Sequence, residues 1–463
     1  MDQEHSTIRY FEGAIPVPPG QPFTCQFIQA PFVVPEGIVE IRLRLRYTPE
    51  RVQGVANLIT LGLYDPDGFR GNAHRHPPDE TVTLSARQAS PGFLAGALPA
   101  GRWMAQLAAH AVLPDAQPCR YSLEIELVAG EVQSSAAAPA PAEQFAARGG
   151  AHWYRGELHS HTLHSDGRLT PAELVELARA RGLDFLFITD HNTHSAFQAL
   201  ETVDTRGLLV IPGVELTTFY GHALVLGTEG WVDWRSGYAG WTMQDAARRA
   251  HELGALFILA HPNDIGSPFC TGCRWEYGDF DLALADGVEI WNELWQSGGN
   301  KNPGGLQLWQ QAQAGPRRWL ATAGTDLHSP LDWGGGAPSA YVYARELSRV
   351  GILNGLREGR LILSSGPWLH LLTRDARGQV YSIGDTCPAA DDALELEIEW
   401  ADVPPDATLL VRAAADVLNA LPVSGSGSTR QAVAGGGRFW LELYDAQGAL
   451  LALTNPLYAG VPG

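Results

Sequence analysis

Between residues 151 and 365, short unbroken apolar runs alternate with amphipathic stretches and glycine stops, and few architectures accept that alternation. Asp184–Thr189 (DFLFIT) and Ala255–Ala260 (ALFILA) are too short for helices and too uniformly apolar for half-exposed strands. They read as strands buried on both faces, as in a parallel sheet covered by helices. The stretches between them carry helix signals. Thr170-Pro171-Ala172-Glu173 is a capping box with proline at the first helical position, opening a helix that Gly182 stops. A second helix is expected from about Met243 to Leu253, before Gly254. Seven strands, beginning near Glu157, Asp184, Leu208, His222, Ala255, Gly287 and Trp319, predict an α/β fold with a distorted (β/α)7 barrel.

The flanks differ. Residues 1–132 show period-two alternation, as in Val39–Leu45 (VEIRLRL) and Tyr121–Val128 (YSLEIELV), broken by turns such as Asp65-Pro66-Asp67-Gly68. This predicts a β-rich sandwich or jelly roll. Residues 133–150 read as a linker, because Ser134–Ala142 is small and proline-bearing. Residues 366–463 return to a β pattern, with Ser424–Ser428 expected as a flexible loop. A chain of 463 residues accommodates these three units.

In a barrel of this kind the strand tips form the site. The expected tips carry His159, His161 and Asp166, then Asp190 and His191, then Glu215, His222, His261, Asp326 and His328. One histidine at a strand end is usually only a polar tip, but so many on one rim point to metal binding. In His159-x-His161 and Asp326-x-His328 the period of two puts both side chains on one face. Imidazole mixed with carboxylate suits zinc, manganese or iron, and nine ligands imply two to three divalent transition metal ions. Glu215, the only glutamate of the set, is the natural bridge. Asp190 is expected to orient a ligand histidine. His152, His164, His194, His251 and His370 lack this register and read as solvated or structural.

The segments HSHTLHSDG, FITDHN, PGVE, GHALVLG, AHP and GTDLH follow one another in the order found in the PHP (polymerase and histidinol phosphatase) superfamily, which residues 153–365 resemble. The flanking β units and Leu453-Thr454-Asn455-Pro456 resemble its carbaryl-hydrolase-like branch. The resemblance implies three metal sites: His159, His161, Glu215 and Asp326; Glu215, His222 and His261; and Asp166, His191 and His328. It also implies a hydrolase using a metal-activated water.

The chain is then expected to be a phosphoesterase acting on a small molecule, with Arg274 as a catalytic cation and Lys301, in the Gly298–Gly305 loop, as another phosphate partner. The alternative is a carboxylic or carbamic ester hydrolase of aryl substrates, with Trp231, Trp234, Trp241, Trp275, Trp291, Trp295 and Trp333 as an apolar wall or simply as packing. A third possibility makes the N-terminal β unit a binding module. The net charge of −19 argues against nucleic-acid partners, which call for a cationic surface. No apolar run is long enough to span a bilayer, and the N-terminal stretch lacks a signal-peptide pattern, so a cytoplasmic protein without membrane partners is expected. Cys25, Cys119, Cys270, Cys273 and Cys387 are too scattered for a disulfide framework, and Cys270-x-x-Cys273 reads as a structural loop or free thiols.

Overall fold

The computed structural model describes residues 6–74, 79, 81–130, 142–389, 393–414 and 416–460. The expected linker Ser134–Ala142 lies outside these residues except for Ala142, and a strand already begins at Arg148.

The N-terminal unit is two four-stranded antiparallel sheets. One orders the strands Ser6–Ile15, Cys119–Ala129, Ile38–Thr48 and Thr81–Ser85; the other orders Thr24–Val34, Gly101–Val112, Leu58–Asp65 and Gly68–Ala73. The alternation in VEIRLRL points Ile41, Leu43 and Leu45 inward, while Arg42 and Arg44 face out. Gly101–Val112 departs from this rule, because its residues from 105 to 112 are buried on both faces. Leu107 and Ala109 fill the sandwich, whereas Ala108 packs into the core of the central unit.

The central unit is mixed α/β. Its strands are β1 (Arg148–Glu157), β2 (Phe185–Ile188), β3 (Leu209–Thr217), β4 (His222–Leu226), β5 (Leu256–Leu259), β6 (Gly287–Asn292) and β7 (Leu320–Gly324). Helices α1 (Pro171–Ala180), α2 (Met243–Glu252) and α3 (Lys301–Ala312) lie between them. Both bonds of the Thr170–Glu173 capping box form, and Thr242 with Asp245 forms a second box at α2. The pairings β1–β2, β2–β3, β5–β6 and β6–β7 are parallel, but β4 runs antiparallel to both β3 and β5. The regular parallel (β/α)7 pattern is therefore interrupted at β4. The physical reason is local: only residues 218–221 join β3 to β4, too few for the helical crossover that a parallel pair needs.

The C-terminal unit is a mainly antiparallel sheet, with one parallel pair between Thr386–Cys387 and Leu457–Ala459, joined to the central one where Leu361–Ser364 pairs with Leu450–Thr454. Its longest ribbon pairs Ala393–Ala413 with Asp416–Ala434. Ser424–Ser428, expected as a loop, lies inside that second strand. One of its two glycines serves packing: a Cβ on Gly427 would lie 2.6 Å from the Trp400 ring, so the bare backbone lets the indole cross the ribbon. Lys301 likewise opens α3 instead of sitting in a loop. Pro303 falls in the first turn, where its missing N–H removes no intrahelical bond. Cys270 and Cys273 are joined as a disulfide, while Cys25, Cys119 and Cys387 are free. Among the described residues no helix is long and apolar enough to cross a membrane.

Candidate metal centre

The nine imidazole and carboxylate residues expected as ligands come together at one end of the central sheet. Six arrive on or just beyond β1, β2, β3 and β7. His261 follows β5, and Asp166 lies in the turn between His161 and α1. His222 stands at the start of β4, and the reversed direction of that strand puts its first residue on the same rim. The neighbouring tips are stitched by bridges between Ser160 and Leu327 and between His191 and Glu215.

Three groups result, each with ligand atoms within 4.8 Å of one another. In the first, His161 Nε2 lies 2.9 Å and His159 Nε2 3.3 Å from Asp326 Oδ1, and both rings face Glu215 Oε2 at 3.4 and 3.2 Å. In the second, Glu215 Oε1 is 3.1 Å from His222 Nδ1 and 3.0 Å from His261 Nε2. In the third, Asp166 Oδ1 lies 3.1 Å from His328 Nε2 and 3.3 Å from His191 Nε2, and His161 joins the group as well. Glu215 thus spans two groups, and so does His161.

The donor set fits divalent cations. His159 Nε2, His161 Nε2, Glu215 Oε2 and Asp326 Oδ1 are buried and converge, yet none has a hydrogen bond of acceptable geometry. Lone pairs gathered this way are costly unless a cation sits among them. His261 and Asp326 also adopt left-handed backbone angles, φ 26° and 50°, strain that tertiary contacts must hold in place. The electrostatics agree. Burial pushes Glu215 up, but His191, His159 and His222 outweigh it and hold the carboxyl well below the usual range. Burial takes the His191 imidazole down to about 4, the neutral form that ligates metal.

The orienting residues differ from the expectation. Asp190 accepts from Thr162 N (2.8 Å), Thr162 Oγ1 (2.7 Å) and Ser165 Oγ (2.7 Å), and no histidine among the described residues hydrogen-bonds it directly. It shapes the turn after His161 and reaches that ring only through Ser165, 3.5 Å from Nδ1. The carboxylate that does orient a ligand ring is Glu289, 3.0 Å from His159 Nδ1. Glu289 also accepts from His261 N (3.1 Å) and Asn292 Nδ2 (2.9 Å). Glu157 accepts from His159 N, Thr325 N and Trp333 Nε1, and burial pushes its carboxyl up to about 7. Neither glutamate was singled out from sequence, although a signal existed: a carboxylate inside a doubly buried strand must be paired. His191 Nδ1 meets the Thr217 hydroxyl.

Arg274 is exposed and donates from Nε to the Asp264 carbonyl. Lys301 is buried against Asp264, Glu293 and the Asn292 side chain. The tryptophans mostly pack: Trp291 on Trp295, Trp231 on Phe69, and Trp234 on His110. His74, from the N-terminal unit, is a site neighbour that sequence reasoning missed altogether. Its ring lies 4.2 Å from that of His191, a proximity between two units that no local pattern encodes.

Residues 157–261 match the family model of the PHP domain. The chain is 46% identical over 67 residues to the 5'-3' exoribonuclease Rnm of Salmonella typhimurium, covering 14% of this chain and 23% of that protein. It is 37% identical over 70 residues to the 3',5'-nucleoside bisphosphate phosphatase of Chromobacterium violaceum, covering 15% and 25%. The match thus spans about a quarter of the length of these two relatives. An uncharacterized protein of Methanocaldococcus jannaschii is 26% identical over 156 residues, covering 31% of this chain and 85% of that one. Among solved structures, a two-domain protein of Bacteroides vulgatus containing a predicted PHP-like metal-dependent phosphoesterase is similar at 19% identity and a TM-score of 0.39, covering 70% of this chain and all of that one.

Proposed function

We propose that this chain, with its PHP domain, is a metal-dependent phosphoesterase acting on a small molecule. The observation that carries the reading is the convergence of buried, unbonded nitrogens and oxygens around Glu215, whose two oxygens face different ligand groups. His159, His161, Glu215 and Asp326 would hold one ion, Glu215, His222 and His261 a second, and Asp166, His161, His191 and His328 a third. Zinc, manganese and iron suit this donor set. Bound divalent ions supply a lowered water pKa and a positive charge for the phosphoryl oxygens.

The chain's own residues do the rest. Glu289 fixes the His159 ring, Glu157 fixes the backbone at His159 and Thr325, and Asp190 fixes the turn that carries Asp166. Arg274, on the loop after His261, is the rim cation for a non-bridging oxygen, because Lys301 is already held by two carboxylates. A phosphoester is favoured over an aryl ester because the tryptophans are taken up in packing, and because the exoribonuclease and the nucleoside bisphosphate phosphatase to which the chain is similar both act on phosphate esters. The acidic chain favours a small substrate over a long polyanion. The distorted-barrel reading draws support from the Ser160–Leu327 bridge between the tips of the first and last strands, and the β-rich flanks fit the carbaryl-hydrolase-like branch.

The test is a panel of nitrophenyl phosphate, phosphodiester, acetate and carbamate, with a short RNA beside them, after loading with zinc, manganese or iron. Metal-dependent turnover of the phosphates above the carboxylic esters is expected. Full activity of metal-stripped protein, or preference for the carbamate, would overturn the reading.

A further inference from the structure

The Cys-x-x-Cys motif lies on the loop from Asp264 to Arg274, and the proposed reaction makes no use of it. Cys270 and Cys273 are bonded, with Cα atoms 5.5 Å apart; Cys270 is partly exposed and Cys273 is buried. Between them the chain turns at Gly272, whose φ is +76°. A side chain at Gly272 would run into the Thr218 carbonyl oxygen and approach His222 Nε2 to 3.2 Å. The turn is therefore seated directly on a ligand histidine.

That turn aims two backbone carbonyls at the second ligand group. His222 Nε2 donates to Thr271 O at 3.2 Å, and His261 Nδ1 donates to Cys273 O at 3.2 Å. Each bond commits one ring nitrogen as an N–H donor. It leaves the other nitrogen, His222 Nδ1 or His261 Nε2, facing Glu215 Oε1 as the atom that can ligate a metal. Tautomer and ring orientation of both histidines thus depend on one short loop. The turn from Cys270 to Cys273 lies in neither helix nor sheet ladder. The base of its loop is held by the backbone bridge between Asn263 and Arg274 and by Trp275 N donating to Pro262 O at 3.0 Å, whereas the turn's own backbone bond, from Cys273 N to Cys270 O, is long at 3.4 Å. The covalent bridge closes the turn itself.

We infer that the Cys270–Cys273 bridge is a clamp that positions His222 and His261, and that reducing it weakens the hold on the metal of the second group. The inference rests on the proposed metal centre. In the reduction a trialkylphosphine and water convert the disulfide to two thiols. The S–S bond breaks, the sulfurs take up two electrons and two protons, and phosphorus is oxidised to the phosphine oxide with oxygen from water. The turn then regains backbone freedom, and its carbonyls are no longer held against the two rings.

The experiment counts metal. Zinc- or cobalt-loaded protein is treated with or without tris(carboxyethyl)phosphine, dialysed against a weak chelator, and analysed for metal per chain; the cobalt absorption spectrum is read in parallel. Loss of one equivalent on reduction is expected, with an affinity at that site lower by about tenfold or more, and full recovery after reoxidation and reloading. The Cys270→Ser/Cys273→Ser double variant should start one equivalent lower and ignore the phosphine. If that variant fails to fold, the reversible cycle on the unaltered chain decides the matter. Equal metal content and an unchanged spectrum in both redox states would overturn the clamp and leave the metal centre standing. Protein that holds no metal in either state would overturn both.

Discussion

Glu215 is fully buried and divides its two oxygens between His159 and His161 on one side and His222 and His261 on the other. Glu215→Ala is expected to bind two fewer metal ions per chain by elemental analysis, whereas His328→Ala should lose one; equal losses would contradict the bridge. Proton release offers a second check. Burial lowers His261 and His328, but Glu215 beside the first, and Asp326 with Asp166 beside the second, outweigh it and raise them to about 9 and about 10. Below those values each ring carries a proton that a metal must displace, so loading at pH 7 should release protons, and apparent affinity should rise until about pH 9 to 10. For the metal-free fold the sign is opposite. The protonated rings stabilise it fully below the unfolded value, roughly 6.5, and that contribution is lost as pH climbs through 9 to 10. Calorimetric loading in buffers of different ionisation enthalpy measures the protons, and none released would count against the assignment. At the rim, Arg274→Ala should slow phosphoester turnover about tenfold, roughly 1.4 kcal/mol of transition-state stabilisation. An unchanged rate would remove Arg274 from the reaction.

Helix α1 shows how much of an element is written in its own residues. Thr170, Pro171 and Glu173 announce its start, and both capping bonds form. Thr170→Ala should cost about 1 kcal/mol in urea unfolding and leave metal content unchanged, because the cap faces solvent and not the rim. Elements went unread where their signal was not local. The glycines and serines of Ser424–Ser428 have weak strand propensity, and pairing with Ala393–Ala413 overrides it. Helix α3 opens against composition too. Its Gly304 and Gly305 admit Asn263 and the β6 backbone, with added Cβ atoms only 2.7 and 3.1 Å from them. In both cases close approach of a distant segment, not propensity, selects the glycine.

At the scale of the whole molecule, the N-terminal sandwich is part of the wall of the site. Ala108 enters the central core, His110 stacks on Trp234, Thr193 donates to the Gly92 carbonyl at 2.7 Å, and His74 lies against His191. Ala108→Glu would place a carboxylate in this apolar contact, where an unpaired charge costs several kcal/mol. The sandwich is expected to undock, exposing the junction to limited proteolysis and weakening metal binding at the His191 group ahead of the other two. Unchanged protection together with unchanged metal content would make the contact incidental.

Strand period, capping boxes, glycine stops and the residue types at the strand tips are properties of neighbours along the chain, and the sequence by itself determined them. The alternation that placed His159 beside His161 and Asp326 beside His328 needs only a period of two. Tertiary structure alone decided the relations between segments far apart in the chain. The reversal of β4 puts His222 on the common rim. Glu289, 130 residues away, takes the His159 ring, a part that local pattern had assigned to Asp190. The loop at Cys270–Cys273 sets two tautomers through backbone carbonyls, which carry no side-chain signature. His74 crosses from another unit altogether. Hydrogen bonds and ring contacts are formed by proximity in space, and a chain reveals that proximity only once its strands have chosen their partners.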